Sequence, residues 1–155
     1  TAGKIDFVKG LLNVGEVMSP PVIRCVKAAA PNAELIILDC PPGTSCPVIE
    51  AIRDSDFVLL VTEPTPFGLN DLRLAVETVR KLKLPFGVII NRADCGDNCT
   101  KKYCDDESIA ILAEIPDVRE VAEAYSRGIM AAEVSQHYRK CFEKLLTALI
   151  KDEQR

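Results

Sequence analysis

Two groups of residues in this chain have the types and spacing for chemistry. The first is Asp39-Cys40-Pro41-Pro42-Gly43-Thr44-Ser45, where the apolar run Leu35-Ile36-Ile37-Leu38 delivers a carboxylate to a turn. An aspartate at the carboxyl end of such a run could hold Mg²⁺ through water or orient an attacking water. Gly43, with no Cβ, lets a backbone N–H approach a phosphate closely. Asp, Pro and Gly are equally ordinary turn residues, so a plain strand-ending turn explains the same letters. The second group is Cys95-x3-Cys99-x4-Cys104 in a polar stretch. Three neighbouring thiols could bind zinc or an iron–sulfur cluster. Neither gap is the two-residue spacing of zinc knuckles and ferredoxins, and the single histidine, His137, is distant in sequence. Incidental thiols in an exposed loop are the reading this spacing favours. Cys40 and Cys46 flank the phosphate-like turn and would be redox-sensitive only if backbone donors stabilised their thiolates.

Composition narrows the classes of function. The 155 residues suit one domain with one sizeable core over 1–155. With 48% hydrophobic and 27% charged residues, the chain is globular rather than disordered. The net charge is −4 and the 19 Lys and Arg are scattered. Neutralising a phosphate backbone needs a basic stripe, so nucleic-acid binding is not expected. No apolar run reaches the length that spans a bilayer, so no transmembrane segment is expected. Cys25, Cys40 and Cys141 lie within apolar segments, as reduced buried thiols of a cytoplasmic protein would.

Five short apolar runs read as strands: Gly10–Val14, Leu35–Cys40, Phe57–Glu63, Phe86–Asn91 and Ala110–Ile115. LIILD, FVLLV and GVIIN are continuously apolar, as strands covered on both faces of a parallel sheet are. Helical patterns alternate with them. Ser19 before Pro20-Pro21 opens one, and Ser45 with Pro47 opens another. Leu69–Lys83 sets Leu69, Leu72, Val76 and Val79 on one face. Asp117 with Glu120 is capping-box-like, and Gly128 stops that helix. The last helix, Ser135–Lys151, turns Tyr138, Cys141, Phe142, Leu145, Leu146 and Leu149 inward. Asp94–Asp106 is the least ordered stretch. Strands alternating with helices predict an α/β three-layer sandwich with a mostly parallel sheet.

The segment LIILDCPPGTSCPVIEAIRDSDFVLLVTEPTPFGLNDL resembles the Walker B and switch II region of MinD/ParA-type P-loop ATPases, whose hydrophobic strand ends D-x-P-P-G-T. FGVIINRAD, Phe86 to Asp94, is similar to that family's strand ending N-[KR]-x-D. AEIPDVREVAEAYSRG, Ala113 to Gly128, is similar to its I-P-x-D-R-x-[IV]-A-x-A-x-x-x-G segment, with Val118 where the family's Asp is common and Asp117 one place earlier. LLNVGEVMSPPVIRCVKAA resembles the stretch that follows the insert in the subgroup carrying a ferredoxin domain. The resemblance runs from about Gly10 to Phe142 and carries expectations. Asp39 would position Mg²⁺ and the attacking water, and Gly43 would sense the γ-phosphate beside Pro42. Asn91, Arg92, Asp94 and the Pro116-Asp117-Val118 loop would hold the base of ATP. Asn91 to Asp94 resembles a guanine-reading motif too, and the preference for ATP comes from the family. A homo-oligomer, redox or Fe–S protein partners, and 4Fe-4S clusters in a segment outside this sequence are further implications.

One element is missing from these residues. A Walker A loop needs G-x-x-x-x-G-K-[ST], and the only Gly-Lys pair, Gly3-Lys4, is followed by Ile5 with no upstream glycine. Without that nest and lysine most of the charge stabilisation for phosphoryl transfer is absent. The chain is therefore expected to be the C-terminal part of such an ATPase, inactive alone and prone to self-association through an unpaired strand edge. The alternative is a non-hydrolysing interaction module or Fe–S scaffold on the same fold.

Overall fold

The computed structural model describes residues 5–13, 15 and 18–152. It divides into two compact units, residues 1–55 and 56–155.

In residues 56–155 three parallel strands, β1 (Val58–Thr62), β2 (Phe86–Asn91) and β3 (Ile111–Ile115), form a sheet in the order β1-β2-β3. Leu60 pairs with Val88 and Ile90 with Glu114, and a register irregularity falls between Val88 and Ile89. The 17-residue helix between β1 and β2 runs Pro66–Leu82. Its first turn is closed by Thr65, whose hydroxyl accepts from the Gly68 N–H at 3.0 Å, with Pro66 pre-set at the first position. Its last turn carries Arg80 and Lys81 at the negative dipole end and closes on Lys83 in a left-handed conformation. The expected inward face holds: Leu72, Val76 and Val79 are buried. Leu72 and Val76 pack with Val88, Ile90, Cys104 and Ile109 into one apolar cluster, joined at its edge by Leu60, Phe86 and Ile111. Burying such side chains stabilises by roughly 1.5–3 kcal/mol each, and β2, buried through Gly87 to Ile90, is the centre of the unit.

The stretch Asp94–Asp106 is not the loop the sequence suggests. Cys99–Asp106 forms a helix with Thr100 and Cys104 buried. Arg73 lies 5.3 Å over the Tyr103 ring, and Arg80 pairs with Glu107 at 2.5 Å, so the long helix fixes this one from its own surface. Mean polarity concealed an amphipathic turn whose inward residues are a threonine and a cysteine rather than aliphatics. After β3 come helices Arg119–Tyr125, Ala131–Val134 and Gln136–Asp152. The capping box does not form: Val118 occupies the cap position of Arg119–Tyr125 without a side-chain bond, and the Asp117 carboxylate is engaged by Arg92. Gly128 does end that helix, at φ +77°. In Gln136–Asp152 Tyr138 is buried as expected, whereas Phe142 and Leu146 are exposed.

Residues 1–55 form helices Pro20–Ala29 and Cys46–Ile52, which contact each other. The Lys27 ammonium donates to three carbonyls at the end of the second, Glu50 at 3.3 Å, Ala51 at 3.3 Å and Arg53 at 2.5 Å, a cation satisfying orphan acceptors. Ser19 and Ser45 precede these helices but make no side-chain cap. Neither expected strand forms here: 10–13 and 35–40 are irregular, and Val14 lies outside the described residues. Leu35, Ile36 and Ile37 are exposed, Ile37 to 83%. A strand is stable only when a neighbour pairs its N–H and C=O groups, and among the described residues of this unit no strand flanks Leu35–Cys40. The thiols differ too. Cys25 is exposed and Cys40 and Cys141 are half-buried, so of the described cysteines only Cys104 is a core residue.

Candidate functional site

The carboxyl ends of β1, β2 and β3 meet at one network of residues. β2 ends at Asn91, and Arg92 follows with φ +51°, a left-handed conformation uncommon for a side chain of this size. The turn is held because the Ala93 N–H donates to the Ile115 carbonyl at 2.9 Å and the Cys95 N–H to the Arg92 carbonyl at 2.8 Å. Reversed in this way, Arg92 reaches both neighbouring strand exits. Its guanidinium lies 3.1 Å from the Asp117 carboxylate beyond β3 and 3.9 Å from Glu63 beyond β1. Asp117, with Glu63 behind it, raises the Arg92 pKa further above its usual range.

Asp94 faces the other way around the same loop. Its Oδ1 accepts the Asp117 N–H at 2.7 Å. That bond, together with one to its own backbone, holds the Asp94 carboxyl below the usual carboxylate range. Cys95 Sγ lies 3.6 Å from the Asp117 carboxylate. Desolvation by the neighbouring loop, then the charges of Asp94 and Asp117, push its thiol pKa up. From the far side Tyr138 of the last helix donates its hydroxyl to the Pro116 carbonyl. Burial pushes that hydroxyl's pKa up, so it stays a donor at neutral pH. Gly96 then approaches the Pro64 carbonyl so closely that a Cβ could not fit, and the Asp97 N–H lies 3.4 Å from that carbonyl.

Of the residues expected to hold a base, Asn91, Arg92, Asp94, Pro116, Asp117 and Val118 therefore lie along two adjoining loops. Their roles divide. Arg92, Asp94 and Asp117 are committed to one another, whereas the half-buried Asn91 carboxamide has no side-chain partner among the described residues. Tyr138, Glu63 and Gly96 were missed as members of this network. Only Tyr138 carried a signal: a hydroxyl on an inward helical face needs a partner.

The three thiols do not converge. Cys104 is fully buried in the apolar cluster while Cys95 and Cys99 are exposed, and no group of three or more metal-ligating side chains exists among the described residues. His137 lies 3.7 Å from Cys141 one helical turn away. In residues 1–55, Asp39 and Pro42 are exposed, and Gly43 turns the chain at φ +94° with open space around it. Burial, then the charge of Asp39, pushes the Cys40 thiol pKa up, the reverse of what a redox-sensitive thiolate requires.

No protein-family model matches the chain. The cell division ATPase MinD of Pyrococcus furiosus matches it structurally with a TM-score of 0.65 and 26% identity, over 85% of this chain and 56% of that one. The chain has the fold of the MinD/ParA-type P-loop ATPases and resembles a fragment of one. It is also 32% identical over 124 residues to the uncharacterized protein MJ0579 of Methanocaldococcus jannaschii, covering 79% of this chain and 43% of that protein. A Rickettsia felis protein named iron-sulfur cluster carrier is 27% identical over 106 residues, 63% of this chain and 32% of that protein. The chain thus spans half or less of the length of these curated relatives. Among the described residues no helix is long and apolar enough to cross a membrane.

Proposed function

We propose that this chain supplies the base-binding end of a MinD-type ATP switch that serves iron–sulfur cluster handling. The observation that carries the reading is the end of β2. A half-buried carboxamide without a side-chain partner, Asn91, stands beside a Pro116–Val118 loop fixed by Asp94 and Arg92. A carboxamide presents two donors and an acceptor, which suits the mixed edge of adenine. One of the two Asp94 oxygens that a guanine reader would use already accepts the Asp117 N–H. Asp39 would hold Mg²⁺ through water and Gly43 would present its N–H to the γ-phosphate. When bound, the metal would screen the phosphate charge. Hydrolysis would await a Walker A loop, which these 155 residues do not contain. Oligomerisation and exchange with Fe–S proteins belong to the same proposal, supported by the carrier names of the relatives. The metal-scaffold alternative has lost its best donor set, since Cys104 sits in the core.

Calorimetric titration of the chain with Mg·ATP, with Mg·GTP as control, tests the reading. Weak binding of ATP, stronger than of GTP and lost in Asn91→Ala, is expected. Binding that Asn91→Ala leaves unchanged, or a preference for GTP, would sink it.

A further inference from the structure

Tyr138 sits in the last helix, 20 residues beyond the loop it touches, and no motif of the base site includes it. Its ring is buried, packed edge-on against Phe142 with centroids 6.3 Å apart. Its hydroxyl ends on the Pro116 carbonyl. The next residue, Asp117, donates its N–H to Asp94 at 2.7 Å and its carboxylate faces Arg92 at 3.1 Å. The Pro116–Asp117 peptide is thus gripped on its carbonyl from the last helix and on its amide from the β2 loop. A peptide held at both polar ends cannot flip without breaking both bonds. Proline fixes φ on one side, which leaves ψ of Pro116 as the soft coordinate, and the tyrosine bond restrains that coordinate.

We propose that Tyr138 is a positioning residue: through it the Gln136–Asp152 helix latches the Pro116–Val118 loop in the conformation that faces a bound base. The inference rests on the base-binding reading above. It implies that base affinity depends on a helix that touches no nucleotide. Displacing that helix would release the loop, and base affinity would fall with it.

The test is Tyr138→Phe in the full chain, which keeps the ring and its packing and removes only the hydroxyl. Two readouts are used: native-state amide exchange at Asp117 and Val118, and adenosine affinity by chemical-shift titration. Losing one hydrogen bond of ordinary strength should speed exchange at these two amides about fivefold and weaken adenosine by a similar factor. Phe142→Leu is the packing control. It should lower the melting temperature while leaving exchange at Asp117 unchanged relative to the rest of the sheet. Unchanged exchange at Asp117 in Tyr138→Phe would overturn the latch. Faster exchange with unchanged adenosine affinity would also overturn it, since the hydroxyl would then merely satisfy a carbonyl. If the wild-type chain takes no adenosine at all, the base-binding reading fails separately. That outcome overturns the latch as a determinant of base affinity, while the exchange arm still tells whether the last helix holds the loop.

Discussion

LIIL at residues 35–38 and VLLV at 58–61 are near-equal in apolar content, yet they meet opposite fates. The second is a strand with Val58 buried against its neighbours and β2 in register beside it. The first is irregular, with Ile37 exposed to 83%. The difference is the partner. A continuous apolar run specifies that both faces want cover, but the backbone becomes a strand only where another strand pairs with it. Among the described residues, 56–155 hold three strands and the helices that join them, and 1–55 hold two helices with no strand between them.

The sharpest way to break this comparison is to truncate one isoleucine on each side. Ile90→Ala removes a fully buried side chain from the apolar cluster and should cost about 3 kcal/mol in urea denaturation. Ile37→Ala should change stability by less than about 0.5 kcal/mol, because little of its surface is buried. Equal losses would mean that Leu35–Cys40 is buried in solution and that the contrast is false.

Gly96→Ala comes next. A Cβ there collides with the Pro64 backbone carbonyl, which is not the end of a flexible side chain, so the junction between the exits of β1 and β2 must move. A loss of about 2 kcal/mol is expected, in the range of strained-backbone substitutions. Circular dichroism melting at two wavelengths measures it. A neutral result would show that these two exits are not tightly joined.

The smallest effect is one of pH. Asp94 is more acidic folded than unfolded, through its bond from the Asp117 N–H. Its contribution is therefore present above the ordinary carboxylate pKa of about 3.9 and lost as pH falls through the lower, folded value. Exchange at the Asp117 amide, corrected for its intrinsic acid dependence, should rise over that acidic window. Asp94→Asn should flatten the dependence. A flat wild-type profile would remove Asp94 from the network.

The sequence was most legible where one period or one strong signal decided the outcome. Phe86–Asn91 is the strand expected, and the long helix puts Leu72, Val76 and Val79 inward as its spacing requires. Gly128 ends its helix because only the left-handed region closes that turn cheaply. Residues 99–106 were misread because the two residues that anchor the helix, Thr100 and Cys104, score as polar or ambiguous. The candidate site was legible as a set of letters but not as a division of labour. Asn91, Asp94 and Asp117 looked alike as base contacts. The structure shows that the left-handed turn at Arg92 spends the two carboxylates on the loop itself and leaves the carboxamide without a side-chain partner. No spacing rule conveys that, since it depends on which carbonyls and amides the β2 and β3 exits bring within reach.

The most direct measurement is a two-dimensional amide spectrum of the chain titrated with adenosine, a base that needs no phosphate loop. The account predicts that the Asn91 side-chain amide and the backbone amides of Asp117 and Val118 shift together, with one affinity, while residues of the Cys99–Asp106 helix stay still. Shifts confined to other surfaces, or a silent Asn91 carboxamide at saturating adenosine, would contradict it.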